Sequence, residues 1–237
     1  MRGLSAILFS CMMLLPGKAR AVSPYNILEE RAARFFNQQE WNQAAAVYDL
    51  MIDEKGNIPE VYGHAVVANA MRGDSIAQMR LMAKALDNHV PFDSVFSRVR
   101  QCSFSLGKAN LYERFLTGVR ATYPWMKRNI DSQLLNYYTF RRDGAMTTRY
   151  AEMMLDGAPD NINFLLLKAS GLVQSGLMDR AMQTYSEVLA LDPDNIPALL
   201  NLGNYYYQTG DPTRARPYLE RAYTLRPTPY LATLLAR

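Results

Sequence analysis

Histidine and cysteine are scarce, at two each in 237 residues. His64 and His89 have no nearby cysteine and no His-Glu-x-x-His spacing, so no metal site is readable. A Gly-x-Ser-x-Gly elbow, a Gly-x4-Gly-Lys-Ser/Thr phosphate loop and a Gly-x-Gly-x-x-Gly dinucleotide loop are missing as well. Neighbouring acids such as Glu29-Glu30 and Asp53-Glu54 belong on solvated helix faces, because paired-acid catalysis needs two carboxylates facing one another across a cleft. The expectation is a non-enzymatic chain with no cofactor and no metal. Strand signals are absent too, with no long alternating run bounded by hairpin turns.

Long apolar runs are also few. The run Leu4–Leu15 is too short to span a bilayer, which needs about 20 residues. It follows Met1-Arg2 and precedes Pro16-Gly17 and Ala19-Arg20-Ala21, the basic, apolar and small-x-small order of a secretory signal peptide. Residues 1–21 are therefore expected to be a leader and 22–237 an exported domain, periplasmic or envelope-associated, with no membrane span of its own. Leu8-Phe9-Ser10-Cys11 offers a different processing site, with lipid anchoring at Cys11; the Phe and the apolar residues after Cys11 count against it.

The net charge is +4, yet Arg2, Lys18 and Arg20 lie in the leader unaccompanied by any acid, so the remainder is nearly balanced. Nucleic acid is not an expected partner, because phosphate neutralisation requires clustered basic residues. Arg98 with Arg100, Lys127-Arg128 and Arg141-Arg142 read as local solvated spots. Cys102 would be the sole cysteine after leader removal, which excludes an intrachain disulfide and suits a small core residue.

What the sequence does have is repetition. Ile162–Asn195 and Ile196–Pro229 have equal length and end alike, in Leu191-Asp192-Pro193-Asp194-Asn195 and Leu225-Arg226-Pro227-Thr228-Pro229. Each carries a helix pattern, a Gly (Gly176, Gly210), a second helix pattern with a small residue (Ala181, Ala215) and then Pro. The same frame steps back through Arg142, Gly107, Gly73 and Gln39, with Lys127 as one inserted residue. Two second-helix columns support it: Tyr48, Met82, Leu116, Ala151, Tyr185 and Leu219, and three residues later Met51, Ala85, Val119, Met154, Val188 and Ala222. All are apolar, and two columns three apart make the stripe that a helix buries. The units are 25–58, 59–92, 93–126, 128–161, 162–195 and 196–229, with a final short helix over 230–237. Unit three has Tyr112 and unit four Thr147 at the small-residue position, so both are expected to be distorted or loosely packed. Pro124, Pro159, Pro193 and Pro227 end the second helices.

With Leu202-Gly203-Asn204-Tyr205-Tyr206 in the last unit, this pattern resembles the tetratricopeptide repeat (TPR) family, of a secreted bacterial type. The resemblance implies an all-α, right-handed superhelix of about six helix-turn-helix repeats acting as a scaffold for a protein or peptide. It further implies that the first helices line a concave groove. On that face fall Glu30, His64, Arg98, Gln133, Leu167 and Asn201, and a turn later Ala33, Val67, Gln101, Asn136, Ser170 and Asn204, with Phe140, Tyr207 and Gln208 nearby. Arg98, Gln101, Gln133, Asn136, Ser170, Asn201, Asn204 and Tyr207 are the candidate partner-binding residues, since amides donate to and accept from a peptide backbone without charge. The family's carboxylate clamp is not reproduced, because Leu166, Ser170, Leu231 and Leu235 stand where its basic and amide groups belong. An alternative is a structural role in an envelope complex, with self-association through an apolar C-terminal end exposing Leu234 or Leu235.

Overall fold

The computed structural model describes residues 24–236, so the expected leader and Cys11 lie outside the described residues. Six helical hairpins follow one another along the chain: α1 (Pro24–Asn37) with α2 (Trp41–Glu54), α3 (Pro59–Met71) with α4 (Ser75–Asp87), α5 (Phe92–Ser105) with α6 (Ala109–Thr122), α7 (Lys127–Arg141) with α8 (Gly144–Leu155), α9 (Ile162–Gln174) with α10 (Met178–Leu191), and α11 (Ile196–Gln208) with α12 (Pro212–Leu225). A 3-10 turn, Pro124–Met126, precedes α7, and α13 (Pro229–Leu235) follows the last hairpin. No strand occurs among the described residues. The fold is an all-α solenoid of stacked helix pairs, as the periodicity predicts.

The turn within each hairpin is fixed by one left-handed residue. Gln39, Gly73, Gly107, Arg142, Gly176 and Gly210 have φ of 60°, 77°, 66°, 54°, 75° and 80°. These are the six positions of the repeat frame, so the Gly signal marks a backbone requirement that Gln39 and Arg142 meet at a steric cost. Helix starts are capped where the chain supplies a short acceptor: Asp74 accepts from the Ala77 amide at 2.9 Å, Asp143 from Met146 at 3.0 Å and Asp211 from Arg214 at 3.0 Å. All twelve residues of the two second-helix columns are buried. An apolar core runs from Tyr25 to Tyr138, and smaller clusters continue it through the later hairpins.

The expected distortion is present in unit three and takes a different form in unit four. Tyr112 is 1% exposed, a bulky ring where other units have a small side chain, and α5 and α6 form the most open of the six hairpins. In unit four the altered packing lies at its joint to unit five. Its α8 packs closely on α9 through Gly144 and Gly171, with Thr148 against Gly171, while Thr147 is fully buried. Two facing glycines bring the helix backbones together there.

The expected short C-terminal helix is present as α13. Leu234 and Leu235 are half-buried, packed with Leu199, Leu219 and Leu231 against the last hairpin. Thr228 caps α13 by accepting from the Leu231 amide at 3.3 Å, which seats the short helix where a further first helix would stand.

Candidate functional site

Between α5 and α7, the first helices of units three and four, lies a cleft of about 430 Å³. Ser97, Arg100, Gln101 and Phe104 come from α5, Tyr112 from α6, and Gln133, Asn136, Tyr137 and Phe140 from α7. The spacing 97, 101, 104 and the spacing 133, 136–137, 140 each follow one face of a helix, so the two walls are helical stripes. Tyr112 connects this site to the irregularity of unit three, since the bulky residue at the small-residue position also lines the cleft. Burial pushes its phenol up to about 12, so it stays protonated and acts as a hydrogen-bond donor to Gln133 Oε1 at 3.2 Å.

Towards the C-terminal ends of α5 and α7 the two walls are aromatic and meet. Phe104 meets Phe140 edge-on with centroids 5.4 Å apart and Tyr137 at 6.3 Å. Phe140 is 71% exposed, which is unusual for a ring of that size. At the rim, Arg98 Nη1 donates to Gln101 Oε1 at 2.8 Å. The site therefore combines an apolar wall with oriented amides and one charged lining residue, the mixture that gives a binding pocket both area and direction.

Of the candidates read from the sequence, Gln101, Gln133 and Asn136 line this cleft, with Arg98 holding Gln101 beside it. The remainder stand elsewhere. Ser170 is half-buried and accepts from Gln174 at 3.3 Å. Asn201 donates to the Pro197 carbonyl of its own helix at 2.8 Å. Asn204 accepts from the Tyr230 hydroxyl at 3.1 Å, and Tyr207 lines a cleft with Leu219, Leu234 and Leu235, so both are engaged by α13. Earlier on the same face, Val67 is fully buried because α3 packs on α5, with Gly63 leaving room for the Arg98 side chain. His64 stacks on Tyr48 at 5.5 Å, and burial lowers its pKa. Sequence periodicity missed Ser97, Arg100, Phe104, Tyr112 and Tyr137; the offset of three between Phe104 and Gln101, matched by that between Phe140 and Tyr137, was the available signal.

Among the described residues there is no group of three or more His, Cys, Asp or Glu placed to hold a metal ion. No described helix is long and apolar enough to cross a membrane.

Comparison with known proteins agrees with this architecture. The tetratricopeptide repeat family matches residues 172–237. A solved structure from Bacteroides ovatus, described as a candidate protein-binding protein, superposes with a TM-score of 0.53 at 18% identity, covering 76% of this chain and 95% of its own. The C-terminal part of a TPR repeat-containing protein from Cytophaga hutchinsonii has a TM-score of 0.42 at 13% identity, covering 87% and 98%, a similarity too distant to argue from. Protein O-mannosyl-transferase TMTC1 of Mus musculus is 37% identical over 60 residues, which is 25% of this chain and only 6% of that protein. The last repeats, residues 172–237, match the tetratricopeptide repeat family, and the same hairpin and left-handed turn recur back to α1.

Proposed function

We propose that this protein is a non-enzymatic interaction scaffold of the cell envelope that binds an extended segment of a partner protein in the α5–α7 cleft. The observation that carries the proposal is the juxtaposition of an aromatic pair, half-buried Phe104 and exposed Phe140, with the amides of Gln101, Gln133 and Asn136 around one opening. An extended chain fits such a site because its backbone meets the amides while a side chain meets the rings. A rigid solenoid supplies both in fixed positions, so less ordering entropy is lost when the partner binds. Envelope placement rests on the leader-like residues 1–21. The short match to a mannosyl-transferase covers too little of that protein to transfer its chemistry.

The test is a crosslinking pull-down of Val22–Arg237 from its native cells beside the variant Gln101→Ala, Asn136→Ala, Phe140→Ala. Loss of a defined partner in the variant supports the cleft. An unchanged partner list removes it, and recovery of the chain alone would favour self-association, for which the Tyr207 and Leu235 cleft would be the place to look. Mass spectrometry of the exported chain settles the leader, with an N-terminus at Val22 expected.

A further inference from the structure

We infer that the α5–α7 cleft selects an acidic segment bearing a large apolar side chain, an inference that rests on the peptide-binding function proposed above and gives its ligand a chemistry. The guanidinium group has donors and no acceptor, so its contact with Arg98 fixes Gln101 with the amide oxygen turned to the arginine. Gln133 is held in the same sense, its oxygen accepting from the Tyr112 hydroxyl. Both glutamines are left with N–H groups to offer. The Arg100 guanidinium adds donors and a positive charge, and Ser97 a hydroxyl.

No Asp or Glu is among the lining residues. Glu113 on α6 accepts from the Tyr138 hydroxyl at 2.7 Å and, after burial, helps to push up the Tyr137 phenol, as Asp93 does that of Tyr112, so both acids lie near the cleft but Arg100 is the charge that lines it. A site rich in donors and positive at its rim is best satisfied by a group that brings only acceptors and negative charge, which is a carboxylate. The aromatic end of the cleft, Phe104 of α5 with Tyr137 and Phe140 of α7, takes an aromatic or branched apolar side chain by edge and face contact. Carboxylate and apolar side chain must lie close in sequence, because a volume of about 430 Å³ admits one or two residues of a peptide.

Two fluorescent probes titrated against the full chain by anisotropy test this, acetyl-Gly-Glu-Phe-Glu-Gly-amide and the same peptide with Lys for Glu. The expected result is at least tenfold tighter binding of the acidic probe at low salt, a preference that shrinks with added salt and on Arg100→Gln, while Phe140→Ala weakens both probes. Equal affinity for the two probes, each weakened by Phe140→Ala, would overturn the acidic preference and leave peptide binding in the cleft standing. If neither probe binds, a random peptide library panned on the chain decides. Enrichment of acidic sequences dependent on Phe140 restores the inference, and enrichment of neutral or basic ones overturns it alone. A library with no Phe140-dependent binder overturns both. Phe140 is on the surface, and circular dichroism checks that its variant folds.

Discussion

Gly144 in α8 and Gly171 in α9 lie backbone to backbone, such that a Cβ on Gly144 would fall 2.6 Å from the Gly171 carbonyl oxygen and one on Gly171 2.8 Å from the Gly144 carbonyl oxygen. No side chain fits between the helices there. The crossing joins the first four hairpins to the last two, and it is the place where the long apolar core gives way to smaller clusters.

Gly171→Ala should therefore destabilise the solenoid by about 2 kcal/mol, since beside the Thr148 hydroxyl the new Cβ meets two backbone atoms, the Gly144 carbonyl oxygen and the Thr148 nitrogen, which cannot rotate away. Gly73→Ala is the control: space there is open, so only the φ of 77° opposes the change, at about 1 kcal/mol. Urea unfolding of both variants checks the order, and an effect at Gly171 no larger than at Gly73 would show that the crossing yields.

Arg142→Gly and Gln39→Gly should each raise stability by about 0.5 kcal/mol. A left-handed conformation costs a residue with a Cβ about 1–2 kcal/mol, and glycine returns about 0.5–1 of that as unfolded-state entropy. A higher urea midpoint with an unchanged slope is the expected observation.

Asp131 is 4% exposed and held by Arg120, whose Nε and Nη2 reach its two oxygens at 2.5 and 3.2 Å. Arg120→Ala strands a buried carboxylate and should cost about 3 kcal/mol. The double change Arg120→Met with Asp131→Leu should recover most of that loss, because the cost lies in leaving the charge alone. A double variant as unstable as Arg120→Ala would mean that the pair itself holds α6 to α7.

His64 is packed between Phe36 and Tyr48, and burial lowers its pKa from the usual 6.5, assisted by Arg98 and opposed by Glu60. The unfolded chain thus takes up a proton at a higher pH than the folded one, so stability is full above 6.5 and declines as pH falls below it. His64→Phe should abolish that part of the slope. Urea midpoints at pH 7 and pH 5 supply the check, and equal slopes for both proteins would remove His64 as a contributor.

The hairpins were legible in the sequence because their determinants are local. The frame that predicted Gly73, Gly107, Gly176 and Gly210 as turn residues also reached Gln39 and Arg142, whose left-handed backbone no propensity would suggest. The binding face was legible only in part. Helical spacing put Val67, Asn136 and Asn204 in one row, and packing then separated them: α5 covers Val67, Asn136 faces an opening, and Tyr230 of α13 bonds Asn204.

Sequence alone determined the repeat length, the turn positions and the buried stripe of each second helix, since each follows from rules acting within a few residues. Tertiary structure decided how far successive first helices stand apart, and with that which side chains remain open to a partner. That spacing depends on contacts between units, such as the close approach of Gly144 in α8 to Gly171 in α9, which exist only once the hairpins stack.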